Sequence, residues 1–178
     1  MLSKKIFLGI DGGGTRSTAV AVDTEGNVLA KVVGDSINYY SNGMQLARHH
    51  LKVMLDELAD TYGINHYETV FIGNSALNKR ATDELVATFT GGLVKSKSVF
   101  MHSDSYIALM SLTASEPGVL VISGTGSMGM AKGHDDQIVT NGGWGYLLGD
   151  QGSAYDIALQ GMKSAIKAHD NRQETTSL

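Results

Sequence analysis

The segment Ile6-Phe7-Leu8-Gly9-Ile10-Asp11-Gly12-Gly13-Gly14-Thr15-Arg16-Ser17 constrains this chain more than any other. An apolar run reads as a buried strand and ends at an acid, three glycines and a set of hydroxyls. Successive glycines let backbone N–H groups converge on one anion with no Cβ in the way. Asp11 in that turn could hold a hydrated divalent cation beside the anion. The combination suits a nucleoside triphosphate with Mg²⁺. The flanks limit the choice of fold. No Lys comes after the glycines, so the stretch is not a Gly-x-x-x-x-Gly-Lys loop. It does not open a helix in Gly-x-Gly-x-x-Gly spacing either. Downstream lie Ser17-Thr18-Ala19-Val20-Ala21-Val22, a turn at Thr24-Glu25-Gly26-Asn27, and Val28-Leu29-Ala30-Lys31-Val32-Val33. Small and β-branched residues around a Gly/Asn turn predict strand, hairpin, strand.

Further along, Gly34–Asn42 reads as a polar, aromatic loop. The apolar spacing of Ala47, Leu51, Met54, Leu55, Leu58 and Tyr62 predicts a helix from about Gly43 to Tyr62, with Gly63 as its stop. The next strand, over Tyr67–Gly73, leads to Asn74 and Ser75, which could reach a cleft. A helix over Ala81–Phe89, a strand over Ser98–His102 and a helix from Ser105 come next. Three strands and then alternating helix and strand is the element order of a ribonuclease H-like domain. The reading is therefore an α/β fold with a mixed sheet, its first domain spanning residues 1–117.

The opening pattern then returns. Val119-Leu120-Val121-Ile122 is a strand, Ser123-Gly124-Thr125-Gly126-Ser127 a second glycine and hydroxyl loop, and Met128-Gly129-Met130-Ala131 a strand leading out. Residues 118–178 read as the beginning of a second, similar domain, and two such loops facing one another would clamp a triphosphate at the cleft between domains. A short strand at 137–140, the loop Asn141–Ser153 and a helix over 154–168 complete the pattern.

These motifs resemble the N-acetylglucosamine kinase/BadF-BadG-BcrA-BcrD ATPase family, within the superfamily of actin-like ATPases, sugar kinases and heat-shock ATPases. The resemblance rests on Gly-Ile-Asp-Gly-Gly-Gly-Thr-Arg-Ser, Ile-Ser-Gly-Thr-Gly-Ser and Gly-Gly-Trp-Gly-Tyr-Leu-Leu-Gly-Asp-Gln-Gly-Ser-Ala-Tyr, and covers residues 5 to about 168. It implies ATP-dependent phosphorylation of an amino sugar, N-acetylglucosamine first. Thr15 and the Gly12, Gly13 and Gly14 backbone would contact ATP phosphates, with Asp11 near Mg²⁺ through water. Gly124, Thr125 and Gly126 would form the second phosphate loop. Asp104 would contact the sugar hydroxyl and serve as the catalytic base. Asn38, Tyr39, Trp144, Gly145 and Asp150 would touch the sugar. The resemblance also implies a longer protein, with the adenine pocket outside these residues. A second domain cut short would expose apolar edges, which a homodimer could cover.

Physical reasoning meets part of this independently. Phosphoryl transfer needs N–H donors, a cation anchor and a carboxylate near the acceptor hydroxyl. Asp104, between a strand and a helix, is placed to be displayed, although a helix N-cap would use the same residue. Other classes of function are less well matched. The 178-residue chain has net charge −4 and no basic cluster, which argues against nucleic acid. No apolar run is long enough to span a membrane. Met1–Lys5 leads straight into a strand and does not read as a signal peptide. Cys is absent, which removes thiolate and iron–sulfur chemistry. A cytoplasmic protein is the simplest reading. The alternatives are a glucosamine or N-acetylmuramic acid kinase, a BadF-type ATPase driving a partner, and a sugar sensor without turnover. The dehydratase-activating ATPases that resemble this fold hold their cluster through Cys, which counts against that class here.

Overall fold

A computed structural model describes residues 5–114, 116–135 and 137–177. Residues Met1–Lys4 of the expected leader-free start lie outside the described residues. The chain divides into two compact units, one ending at Ile107 and the other beginning at Ala108.

The first unit is built on β1 (Phe7–Gly12), β2 (Arg16–Val22), β3 (Val28–Asp35), β4 (Tyr67–Asn74) and β5 (Ser96–His102). They form one sheet in the order β3-β2-β1-β4-β5. The first three pair antiparallel, while β1, β4 and β5 run parallel. This is the mixed sheet of a ribonuclease H-like domain. β1 and β2 alternate in burial, so β1 is half covered and not the fully buried strand its apolar run suggests. Leu8, Ile10, Ala19, Ala21, Val32, Val70, Ile72 and Met101 all point into one core.

Helix α1 (Tyr39–Asn42) falls in the segment expected to be loop. It is a single turn, too short to show periodicity, and Asn38 caps it by accepting from the Tyr40 and Ser41 N–H groups. Helix α2 (Met44–Tyr62) buries Ala47, Leu51, Met54, Leu55 and Leu58 of the predicted stripe, while Tyr62, in the last turn, is exposed. It ends at Gly63 in the left-handed region, with the Gly63 and Ile64 N–H groups returning to the last turn, as a glycine stop requires. Helix α3 (Asp83–Thr90) starts two residues later than the periodicity suggests, because the Thr82 hydroxyl caps it by accepting the Leu85 N–H. Helix α4 (Asp104–Thr113) is separated from β5 by the single residue Ser103.

The second unit carries β6 (Gly118–Ser123), β7 (Ser127–Lys132), β8 (Ile138–Gly142) and α5 (Ala154–His169). The sheet order is β6-β7-β8, antiparallel throughout. It repeats the β1-β2-β3 meander, glycine loop included. Leu120 and Met130 pack on Leu109, whereas Val119, Val121 and Val139 stand exposed on the opposite face. Ser153 caps α5 by accepting the Asp156 N–H.

Candidate active site

In the first unit the parallel strands β1, β4 and β5 end together at Gly12, Asn74 and His102. Ligands of open α/β sheets collect at such carboxyl ends. Pairing places Thr18, Asp11, Gly73 and His102 in one row across the sheet. Asp104 lies just past that row, at the first position of α4.

The glycine loop is tightly braced. The Ser36 hydroxyl donates to the Gly13 carbonyl at 2.8 Å, and the Ser75 N–H donates to the Gly12 carbonyl at 2.9 Å. Buried Ser17 accepts the Ile37 N–H at 3.0 Å. None of Gly12, Gly13 and Gly14 has a positive φ. Glycine at 12 answers instead to close approach, since a Cβ there would lie 2.6 Å from Ile37 Cγ1 and 2.7 Å from the Gly73 carbonyl oxygen. At Gly14 nothing lies within 4 Å, and Gly14 and Thr15 are exposed. The tip of the loop is thus free to receive a ligand.

Asp11 and Asp104 feel one another. Burial, then the Asp104 carboxylate, raise the Asp11 pKa above the ordinary carboxylate value, and Arg16 partly offsets this. The Asp104 Oδ1 accepts the Ser105 N–H at 2.7 Å. A Cβ on Gly73 would come within 3.3 Å of the Asp104 Cα, so glycine there lets the start of α4 sit against β4. Among the described residues no group of three or more His, Asp or Glu side chains gathers to hold a metal.

The raised Asp11 pKa has a testable sign. A carboxyl whose folded pKa exceeds its unfolded one destabilises the fold as pH rises through that value. Asp11→Asn is therefore expected to raise the thermal midpoint of the ligand-free protein at pH 7, and to lose that advantage below the carboxylate range. A midpoint at pH 7 unchanged or lowered would show that the charge is already compensated.

The expected sugar contacts have definite surroundings. Asn38 caps α1, and its Nδ2 donates to Ser75 Oγ at 2.9 Å. The Tyr39 ring tilts against Phe89, with centroids 5.9 Å apart. Asn74, considered for a cleft, is fully buried and structural: its Nδ2 donates to the Ile37 carbonyl and its Oδ1 accepts the Ala76 N–H.

In the second unit, the loop of Gly124, Thr125 and Gly126 turns β6 into β7, and Thr125 is exposed. Ser123 and Ser127 tie it to the segment before α5, donating to the Gly152 and Gln151 carbonyls at 2.8 Å each. Asp150 is buried at a φ of 63° and turns its carboxylate into this loop, where Oδ1 accepts the Ser127 N–H at 3.0 Å. A Cβ on Gly126 would come within 2.9 Å of Asp150 Oδ2. Asp150 therefore braces the second glycine loop, a role that sequence spacing does not indicate. Trp144 is 74% exposed, and Gly145 has a φ of 80°. An open groove of about 360 Å³ borders the loop, lined by Ser123, Ser127, Gly142, Gln151 and Gly152.

This is the braced double-loop architecture of an actin-like ATPase fold. Residues 8–177 match the BadF/BadG/BcrA/BcrD ATPase family, and the chain belongs to it. The N-acetyl-D-glucosamine kinase of Dictyostelium discoideum is 34% identical over 99% of this chain and 59% of its own length. The N-acetylmuramic acid/N-acetylglucosamine kinase of Clostridium acetobutylicum is 28% identical over 98% of this chain and 58% of its own. The chain thus spans a little under three-fifths of the curated relatives it matches. A crystal structure of a Chromobacterium violaceum protein, described as a candidate N-acetylglucosamine kinase, shares the fold with a TM-score of 0.77 and 24% identity. The match covers 98% of this chain and 61% of that one.

Proposed function

We propose that the protein phosphorylates an amino sugar with ATP, N-acetylglucosamine first. The observation that carries this reading is the pairing of a free-tipped, braced glycine loop with two neighbouring carboxylates, Asp11 and Asp104, at the carboxyl ends of the parallel strands. The Dictyostelium and Clostridium relatives are both named as kinases of such sugars.

The residues fit Mg-ATP. The mutual repulsion of Asp11 and Asp104 is what a cation would relieve, and a lone carboxylate suits a hard cation that keeps most of its waters. Bound Mg-ATP supplies the phosphoryl group and neutralises charge during transfer. On this reading Asp11 holds the hydrated cation. The Gly12–Gly14 backbone and Thr15 bind phosphate oxygens, and Gly124, Thr125 and Gly126 form a second phosphate loop. Asp104 orients the sugar hydroxyl and takes its proton. Asn38 and Tyr39 belong to the sugar side, with Trp144 and Gly145 on the corresponding segment of the second unit. Residues 118–178 belong to a second domain of the same kind, and the setting is cytoplasmic. Asp150 belongs to that sugar-side segment too, and its carboxylate also braces the second glycine loop.

A coupled ADP-release assay against N-acetylglucosamine, glucosamine, N-acetylmannosamine, N-acetylmuramic acid and glucose tests the reading. N-acetylglucosamine is expected to give the highest kcat/KM. Turnover with none of them would refute a sugar kinase, and sugar binding without turnover would favour a sensor. The name of the Clostridium relative makes N-acetylmuramic acid the second substrate to try.

A further inference from the structure

His102, the last residue of β5, has no part in the phosphate, cation or sugar contacts of the proposed reaction. Its Nδ1 lies 2.8 Å from the Ser103 backbone N and 3.2 Å from the Ser103 hydroxyl. A backbone N–H can only donate, so Nδ1 carries no proton and the imidazole is the Nε2–H tautomer. Ser103 is 1% exposed, and its Oγ accepts the Tyr106 N–H at 3.2 Å and the Ser105 hydroxyl at 3.0 Å. It is therefore the N-cap of α4, the helix whose first residue is Asp104. The Ser103 hydroxyl proton is left to point at Nδ1. The imidazole itself is clamped from the other side by the Tyr106 ring, stacked at 3.9 Å and 20°.

We propose that His102 is a positioning residue for Asp104: its unprotonated Nδ1 anchors Ser103, and Ser103 sets the first turn of α4 and with it the Asp104 carboxylate. Protonation would place an Nδ1–H against the Ser103 N–H and hydroxyl, two donors with no acceptor left for them. Among the described residues, the Arg80 charge acts on the ring and the Tyr106 phenol ring stacks on it. Burial and then the Arg80 charge hold the His102 pKa below the ordinary imidazole value. A His with a depressed folded pKa favours the fold above its unfolded pKa, and this contribution fades as pH falls through the folded one. The anchor is thus intact at neutral pH and released by acid. The catalytic consequence rests on the kinase reading; the coupling of His102 to Ser103 does not.

Two measurements on the full chain separate these. In ¹⁵N–¹H NMR, His102 is expected as the Nε2–H tautomer, with the Ser103 and Tyr106 amides shifting at its own apparent pKa. An Nδ1–H tautomer, or amides indifferent to His102 protonation, would overturn the proposal whether or not a sugar is phosphorylated. In kinetics, His102→Asn keeps an untitratable acceptor near Nδ1. It is expected to retain most of kcat and to lose the acid-side inflection owed to His102. His102→Leu removes the acceptor and is expected to lower kcat about 10–100-fold, the scale of a small misplacement of a reacting group, with a smaller change in sugar KM. A folded His102→Leu protein with wild-type kcat, or an Asn variant with the acid inflection intact, would also overturn it. If no sugar is phosphorylated by the wild type, the kinase reading falls and the NMR result decides the positioning role alone.

Discussion

Asp104→Asn is expected to lower kcat for N-acetylglucosamine by about 10²–10⁴-fold, the range for removing a general base. Sugar KM should change far less. The substitution is nearly isosteric, and the structure gives a reason to expect the site to survive it. The Asp104 Oδ1 accepts the Ser105 N–H, and an Asn carbonyl oxygen can accept the same bond. The α4 cap comes from Ser103, so the helix start does not depend on the charge at 104. On the proposed reaction, what is lost is basicity at the acceptor hydroxyl. Steady-state kinetics with a circular-dichroism check of folding measure this, and an unchanged kcat would remove Asp104 from the base role. The neighbouring carboxylate supplies a second readout. With Asp104 neutralised, one of the two causes raising the Asp11 pKa disappears, so Asp11 should titrate lower in the variant.

The second large effect is on the fold. Gly12→Ala is expected to destabilise the first unit by about 3 kcal/mol, the upper part of the overpacking range. The added methyl would meet Ile37 Cγ1 at 2.6 Å, Ile37 Cδ1 at 2.8 Å and the Gly73 carbonyl oxygen at 2.7 Å. Ile37 is fully buried and cannot swing outward, and Gly73 pairs with Asp11 in the neighbouring strand. Relief would therefore have to come from separating β1 and β4. Gly14→Ala is the internal control, because nothing lies within 4 Å of its Cβ position. Urea unfolding monitored by far-ultraviolet circular dichroism should show a displaced midpoint for the first variant and little change for the second. Equal midpoints for Gly12→Ala and wild type would mean that the strands part without penalty. Gly73→Ala should fall between them, since its tightest contact is the movable Ile107 Cδ1 at 2.4 Å.

Sequence reasoning reaches the elements that carry a period. The hairpin of β2 and β3 is legible because small and β-branched residues flank the Thr24–Asn27 turn, and α2 because its buried positions recur at helical spacing. Local chemistry that acts across distance is not legible. Ser36, Ser17 and Asn74 brace the glycine loop and its surroundings through bonds to residues far away in the chain, and a lone Ser or Asn gives no sign of such a partner. Helix α1 is invisible to periodicity because one capped turn has no repeat. Asp150 has the sequence setting of a ligand contact, since it precedes a helix in a glycine-rich segment. Its positive φ, which turns the carboxylate back onto Ser127, becomes visible only in the fold. His102 is silent in the sequence for a related reason, as its meaning lies in the N–H of the next residue.

The parallel pairing of β1 with β4 has a consequence for synthesis. Gly12 finds its partner Asn74 only across the β2-β3 meander and the whole of α2. Loop-closure entropy must be met before that pairing rewards the chain, which makes such contacts late in folding. At about 5–20 residues per second, a ribosome releases the Asp11 loop several seconds before β4. During that interval the growing chain has a glycine loop but no strand to seat it. Nascent chains stalled before β4 should therefore lack the glycine loop in its final form, and those extended past α4 should be able to acquire it.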